Sequence, residues 1–177
     1  MVDSGTEREY QEERLQFTPH DYQKQSIDHM ISHPRSILLL GMGFGKTVCT
    51  LSAIQQRRKA GQIQKTLVVA PLRVAQSVWA PEAQKWDHLQ DLRFSLILGT
   101  EKQRRAALAQ EADVYVVNRE NVPWLVKKQE GSWPYDMVVV DELSSFRSPD
   151  SKRFKALASV VFQSPFFVGL TGTPMPT

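Results

Sequence analysis

Ile37-Leu38-Leu39-Leu40-Gly41-Met42-Gly43-Phe44-Gly45-Lys46-Thr47 runs from an apolar stretch through alternating glycines into a helix-compatible segment at 47–60. The order is strand, glycine-rich turn, helix, and polyphosphate binding needs that order. Glycine reaches φ > 0 without penalty and puts no Cβ between amide and phosphate, so successive N–H groups can point into one anion-sized concavity. A helix starting at Thr47 adds unpaired N–H groups and the positive end of its dipole. Lys46 would then reach the β- and γ-phosphates, and the Thr47 hydroxyl would ligate Mg²⁺. The standard pattern is G-x-x-x-x-G-K-[ST], and Leu40 stands at its first glycine position. The competing reading is a glycine-rich turn followed by an incidental surface lysine; the residues downstream weigh against it.

The 177 residues, 41% of them hydrophobic, suit one domain with a real core. Lys plus Arg number 22 against 19 Asp plus Glu, a formal +3 that permits an anionic partner without demanding one. Cys49 is the single cysteine, which excludes an internal disulfide and a cysteine-based zinc site and fits a reducing compartment. No segment approaches the roughly 18 to 20 apolar residues of a membrane span, and the N-terminus is acidic and polar. The expectation is a soluble cytoplasmic protein without a membrane partner.

Residues 1–16 carry Asp3, Glu7, Glu9, Glu12 and Glu13 among few apolar groups and read as a flexible tail. Asp21 is a candidate N-cap for a helix reaching about residue 33, with Pro34 beyond it. Gln23 opens that helix, where its amide can donate to and accept from one adenine edge or simply face solvent. Apolar runs predict strands at 66–70, 94–98, 114–117, 137–140 and 166–170 in addition to the one before the glycines. Helices are predicted at 75–86, interrupted or restarted near Pro81, and at 101–110, 124–128 and 151–161. Trp79 and Trp86 read as core or interlayer packing, with base stacking as the other use. Strands alternating with helices imply an α/β fold with a mainly parallel sheet covered on both faces. Polar clusters follow the C-terminal ends of the strands, the edge where such sheets bind ligands.

Val138-Val139-Val140-Asp141-Glu142 supplies the other half of a phosphate site: an apolar strand presenting two adjacent carboxylates. Asp141 would hold Mg²⁺, and Glu142 would orient or deprotonate an attacking water. Alone, the pair could be a strand-end cap; together with Gly-Lys-Thr it reads as a nucleotide site.

At these residues the chain resembles superfamily-two helicases and translocases, most closely the SWI/SNF-type branch with its phage and bacterial members. The resemblance covers residues 17–177. It rests on Gln23, on Met42-Gly43-Phe44-Gly45-Lys46-Thr47 as motif I, Ala70-Pro71-Leu72-Arg73 as motif Ia, Asp141-Glu142-Leu143-Ser144 as motif II and Leu170-Thr171-Gly172-Thr173-Pro174 as motif III. In that branch motif I usually reads MGLGKT, so Phe44 replaces a leucine, and no glycine is required at Leu40. Leu143 and Ser144 depart from the DEAH and DEAD forms.

The resemblance implies a RecA-like P-loop NTPase domain over 17–177 that binds ATP and Mg²⁺ and couples hydrolysis to movement on nucleic acid, usually duplex DNA. It assigns Gln23, Gly43, Phe44, Gly45, Lys46 and Thr47 to nucleotide, Thr47 and Asp141 to the metal, and Lys46, Asp141 and Glu142 to catalysis. Pro71, Arg73 and Arg119 would meet the nucleic-acid backbone, and Thr171 and Thr173 would couple the two sites; arginine suits phosphate because of its planar fork. A second RecA-like lobe, which in such motors donates arginines, is absent from the 177 residues. Because an arginine finger contributes roughly 10³ to 10⁵ in rate, the chain alone is expected to bind nucleotide but hydrolyse it poorly. The alternative is a non-catalytic nucleotide- or DNA-binding regulatory module with the same fold. A GTPase or small-molecule kinase is disfavoured, since no Asn-Lys-x-Asp sequence occurs.

Overall fold

The computed structural model describes residues 14–41, 45–146, 148 and 151–172. Gly43, Phe44 and Thr173, and residues 1–13 of the expected tail, lie outside them. Leu15, inside the stretch read as a tail, bridges Trp86, donating to Lys85 O at 2.8 Å and accepting from Asp87 N at 3.0 Å. The chain therefore joins the domain ahead of residue 17.

Six strands form one parallel sheet: β1 (Arg35–Leu39), β2 (Thr66–Ala70), β3 (Phe94–Ile97), β4 (Val114–Asn118), β5 (Met137–Val140) and β6 (Phe166–Thr171), in the order β1-β6-β5-β2-β4-β3. Their continuous apolar runs follow from burial on both faces. Val68, Val116, Val139 and Val168 turn to one side, beneath α1 (Asp21–Ser32), α2 (Lys46–Lys59), α3 (Leu72–Ser77) and α4 (Trp79–Gln84). Leu67, Val69, Val117 and Val138 turn to the other, beneath α5 (Glu101–Ala109), α6 (Val122–Lys128), α7 (Leu143–Phe146) and α8 (Lys152–Ala158). A period of two thus builds two cores from one set of strands. All six strands fall where the apolar runs predict them.

The helices differ in detail. The helix expected over 75–86 with a restart near Pro81 is two helices: α3 ends and α4 begins at Val78 (φ −114°, ψ −57°), and Pro81 sits in the first turn of α4, where its missing N–H costs nothing. α7, four residues directly after Glu142, lies where no helix was predicted. His20, not Asp21, is the N-cap of α1.

α2 is buried on nearly every side, since it lies between the sheet, α1 and α4. Its last turn carries Arg57, a residue type that ordinarily faces water, at 4% exposure. The guanidinium donates to the carbonyls of Met30 (2.7 Å), Ile31 (3.1 Å) and His33 (3.4 Å), and lies 4.0 Å from the centre of the Phe166 ring. It therefore serves the orphan carbonyls at the end of α1 and ties α1, α2 and β6 together. Burial lowers its pKa.

Arg57→Met keeps the apolar stem over the ring but leaves those carbonyls without their donor. A loss of about 2 kcal/mol in urea unfolding is expected. Stability within about 0.5 kcal/mol of the parent would show that desolvating the guanidinium cancels its bonds.

Candidate active site

Parallel register sets the site. Leu39 pairs with Thr171, Val140 with both Gly169 and Val69, and Ala70 with Asn118, so β1, β6, β5, β2 and β4 all end at one rim. Leu40 N still donates to Thr171 O at 3.0 Å, and Asp141 N to Val69 O at 2.8 Å, which fixes both chain segments as they leave the sheet. Read along that rim, the strand order lines up the glycine-rich turn, the Thr171-Gly172 segment, Asp141-Glu142, Pro71-Arg73 and Asn118-Glu120.

Lys46 and Asp141 are 95 residues apart in sequence and share a hydrogen bond, Lys46 Nζ to Asp141 Oδ1, at 2.9 Å. The carboxylate is fully buried, while the lysine side chain keeps 26% of its surface exposed and opens the pair to solvent on one side. The other oxygen, Oδ2, accepts from Trp79 Nε1 at 3.1 Å. A carboxylate taken out of water needs such partners. Nothing in the sequence foretold the indole contact: helical spacing gives the face of Trp79, not the partner of its N–H.

Gly45 is the N-cap of α2 with φ 68°, the left-handed conformation that glycine adopts freely. A Cβ added there would lie 2.7 Å from Gln23 Nε2, so the turn needs glycine for space as well as for backbone. Gln23 is itself buried, accepting from His20 N at 2.9 Å through Oε1, and its amide nitrogen lies against Gly45. The structure thus brings Gln23 to the glycine turn, which the sequence expected, and also gives it an end-capping bond, which the sequence did not. Thr47 is buried in the first turn of α2 beside Lys46.

Glu142 has φ 54°, the one non-glycine left-handed residue among those described. The chain must leave a buried strand and start α7 at once; the Glu142 carbonyl accepts from Ser145 N (3.1 Å) and Phe146 N (3.2 Å), closing that turn. Such a conformation costs about 1 to 2 kcal/mol for a side-chain-bearing residue and is held by its surroundings. Its result is two neighbouring acids in different settings, Asp141 buried and Glu142 partly exposed. Gly169 makes room for α7: a Cβ on it would come within 2.5 Å of Leu143 Cδ2. Thr171 Oγ1 bonds Ser144 Oγ at 3.1 Å, and Arg119 Nη1 donates to Ser145 Oγ at 2.6 Å. α7 is therefore tied to the tips of both β6 and β4. Ser144 stands in the quoted motif II, yet no role for its hydroxyl, or for Ser145, was legible.

On the far half of the rim, Pro71 is the N-cap of α3 and Arg73 is exposed in its first turn. Because Ala70 and Asn118 pair, Pro71 and Arg119 leave neighbouring strand tips. Among the described residues no group of three or more His, Cys, Asp or Glu is close enough to hold a metal by itself. A cavity of about 530 Å³ lies at the opposite end of the sheet, lined by Arg58, Lys65, Arg93 and Asp113. Its two arginines are spent on Asp113: burial would raise that carboxyl, but Arg93 and Arg58 outweigh it and hold it low.

A sequence model of the SNF2-related domain matches residues 10–177. Protein p41 of Acyrthosiphon pisum secondary endosymbiont phage 1 is 44% identical over 167 residues, covering 90% of this chain and 36% of that protein. Among solved structures, the UvsW helicase from bacteriophage T4 superposes with a TM-score of 0.70 at 19% identity, over 89% of this chain and 53% of that one. The chain thus spans about a third of the length of the phage relative. With motif order, parallel sheet and family match in agreement, the chain belongs to the SNF2-related domain family and has the fold of the first RecA-like lobe of superfamily-two helicases.

Proposed function

We propose that this chain is the ATP-binding lobe of a DNA-dependent ATPase, a helicase or translocase that couples hydrolysis to movement on nucleic acid. The observation that carries this reading is the 2.9 Å bond between Lys46 Nζ and Asp141 Oδ1, formed at one rim by residues from two separate strand ends. In this reading Gly43, Phe44, Gly45, Lys46 and Thr47 cradle the triphosphate, and Gln23 faces adenine. Lys46 exchanges its carboxylate for phosphate oxygens.

The residues present fit a magnesium nucleotide. Gly45 holds the turn at φ 68° with the Gln23 amide against it, and among the described residues the hydroxyl of Thr47 and the buried carboxylate of Asp141 supply one oxygen-donor group each beside Lys46. So sparse a protein set suits Mg²⁺, which keeps several waters and draws other ligands from phosphate, better than a self-sufficient protein cage. Bound there, the ion would neutralise charge on the β- and γ-phosphates. Glu142, partly exposed beside it, would orient and deprotonate water.

Pro71, Arg73 and Arg119 would meet the backbone of duplex DNA, and Thr171, through Ser144, together with Thr173 would link that surface to the nucleotide. A second RecA-like lobe would complete the site, and the cytoplasm is the expected setting. No helix among the described residues is long and apolar enough to cross a membrane.

Titration of the chain with a fluorescent ATP analogue should show at least about a tenfold loss of affinity in Lys46→Ala, since charge-assisted bonds to phosphate contribute about 1.5 to 3 kcal/mol each. Because that change also strands a buried carboxylate, Thr47→Ala is the companion variant. It should lose affinity when Mg²⁺ is present and match the parent in EDTA. Parental affinity in both variants would refute the site.

For nucleic acid, Arg73→Ala and Arg119→Ala should each weaken duplex DNA binding independently of sequence. Each should also reduce the salt slope of binding by about one. Unchanged slopes would remove this rim from the nucleic-acid interface.

A further inference from the structure

A carboxylate that receives a metal-bound nucleotide has two oxygens, and Lys46 engages only one. The other is held by Trp79, the first residue of α4, whose Nε1 donates to Asp141 Oδ2 at 3.1 Å with both side chains buried. The indole is a donor only, so it neither competes for a cation nor accepts a proton. Its large ring is fixed by packing against the core on that face of the sheet. Ala75, Trp79 and Ala83 are the buried residues of α3 and α4, so Trp79 lies on the face that both short helices turn to the core. Many buried indoles satisfy their N–H on a main-chain carbonyl; this one takes the acid assigned to the metal.

We propose that Trp79 is the positioning residue of Asp141: by holding Oδ2 it fixes the carboxylate plane and leaves Oδ1 alone turned toward the glycine turn and the divalent cation of the bound nucleotide. The inference rests on the proposed magnesium-nucleotide site. Such outer partners of metal-binding groups usually tune metal affinity by about 10- to 100-fold. Without the indole N–H, Asp141 is free to rotate and to turn either oxygen, or both, toward Lys46.

The test replaces Trp79 in the 177-residue chain with its benzothienyl isostere, which keeps the fused ring and removes the N–H donor; Trp79→Phe is the second variant. Nucleotide affinity is measured across a Mg²⁺ series and in EDTA, alongside thermal unfolding. The expected result for the isostere is at least a tenfold rise in the Mg²⁺ concentration for half-maximal effect, with EDTA affinity unchanged and Tm within a few degrees of the parent. Trp79→Phe should show the same rise in Mg²⁺ requirement on top of a lowered Tm. A parental Mg²⁺ response in the isostere, whatever its Tm, would make Trp79 a packing residue and overturn the proposal alone. A parent protein whose nucleotide binding ignores Mg²⁺ would overturn the underlying site and this inference together.

Discussion

The bond between Lys46 and Asp141 constrains the rest of the fold, because its two ends come from strands that are not neighbours. β6 lies between β1 and β5, and Lys46, the first residue of the helix that follows β1, reaches past its tip to Asp141. The insertion also explains why β6 carries Gly169 next to Val140: a side chain there would push Leu143, and with it the turn that follows the carboxylate. Burying a carboxylate costs several kcal/mol, and the pair repays it only while both partners stay aligned. The bond is therefore better understood as a device for holding two chemical groups in register than as a source of stability.

The same constraint divides the rim. Toward β1 stand the residues proposed to hold phosphate, toward β4 the exposed and half-exposed arginines, and α7 sits between them, bonded to β6 through Ser144 and to β4 through Arg119 and Ser145. A four-residue helix has little stability of its own, since nucleation consumes most of what its few bonds return. Its position depends on these side-chain ties and on Leu143 and Phe146 in the core. A change at either end of the rim therefore reaches the backbone of Glu142 through contacts that are short and few. That is a physical route between two surfaces, carried by named bonds, although only measured coupling would make it allosteric.

Much of this was legible in the amino-acid order because burial on both faces writes strands as unbroken apolar runs, and Val138-Val139-Val140 or Leu67-Val68-Val69 leave little choice. The convergence of the motifs followed from parallel topology once each had been placed after a strand. Other features depended on information that no local pattern holds. Arg57 sits among basic residues at a helix end, where charge normally means solvent, yet α1 ends directly against it. Trp79 advertises packing through its spacing, while its donor finds a partner 62 residues away. α7 was missed because four residues are too few to display a period, whereas Pro81 did signal that the helix after β2 restarts. Strand order was unreadable as well: the sequence shows β6 last, and only pairing reveals that it enters between the first strand and the fifth.

Where the arginines go bears on how complete the chemistry of one lobe can be. Arg35 donates to Ser164 O, Arg57 closes the end of α1, and Arg58 and Arg93 converge on Asp113 at the opposite end of the sheet. Arg104 reaches Gly99 O, Arg105 pairs with Glu101, and Arg153 with Glu120. Arg119 is joined to α7, and Arg73 lies exposed on the β2 side of the rim. Among the described residues, then, Lys46 is the cation bonded to Asp141, and most of the arginines are bonded away from it. A transferring phosphoryl group spreads charge over its equatorial oxygens, and one lysine addresses that charge from one direction. In the proposed reading, positive charge from the opposite side would come from a surface that closes over the rim, the role assigned there to a second lobe.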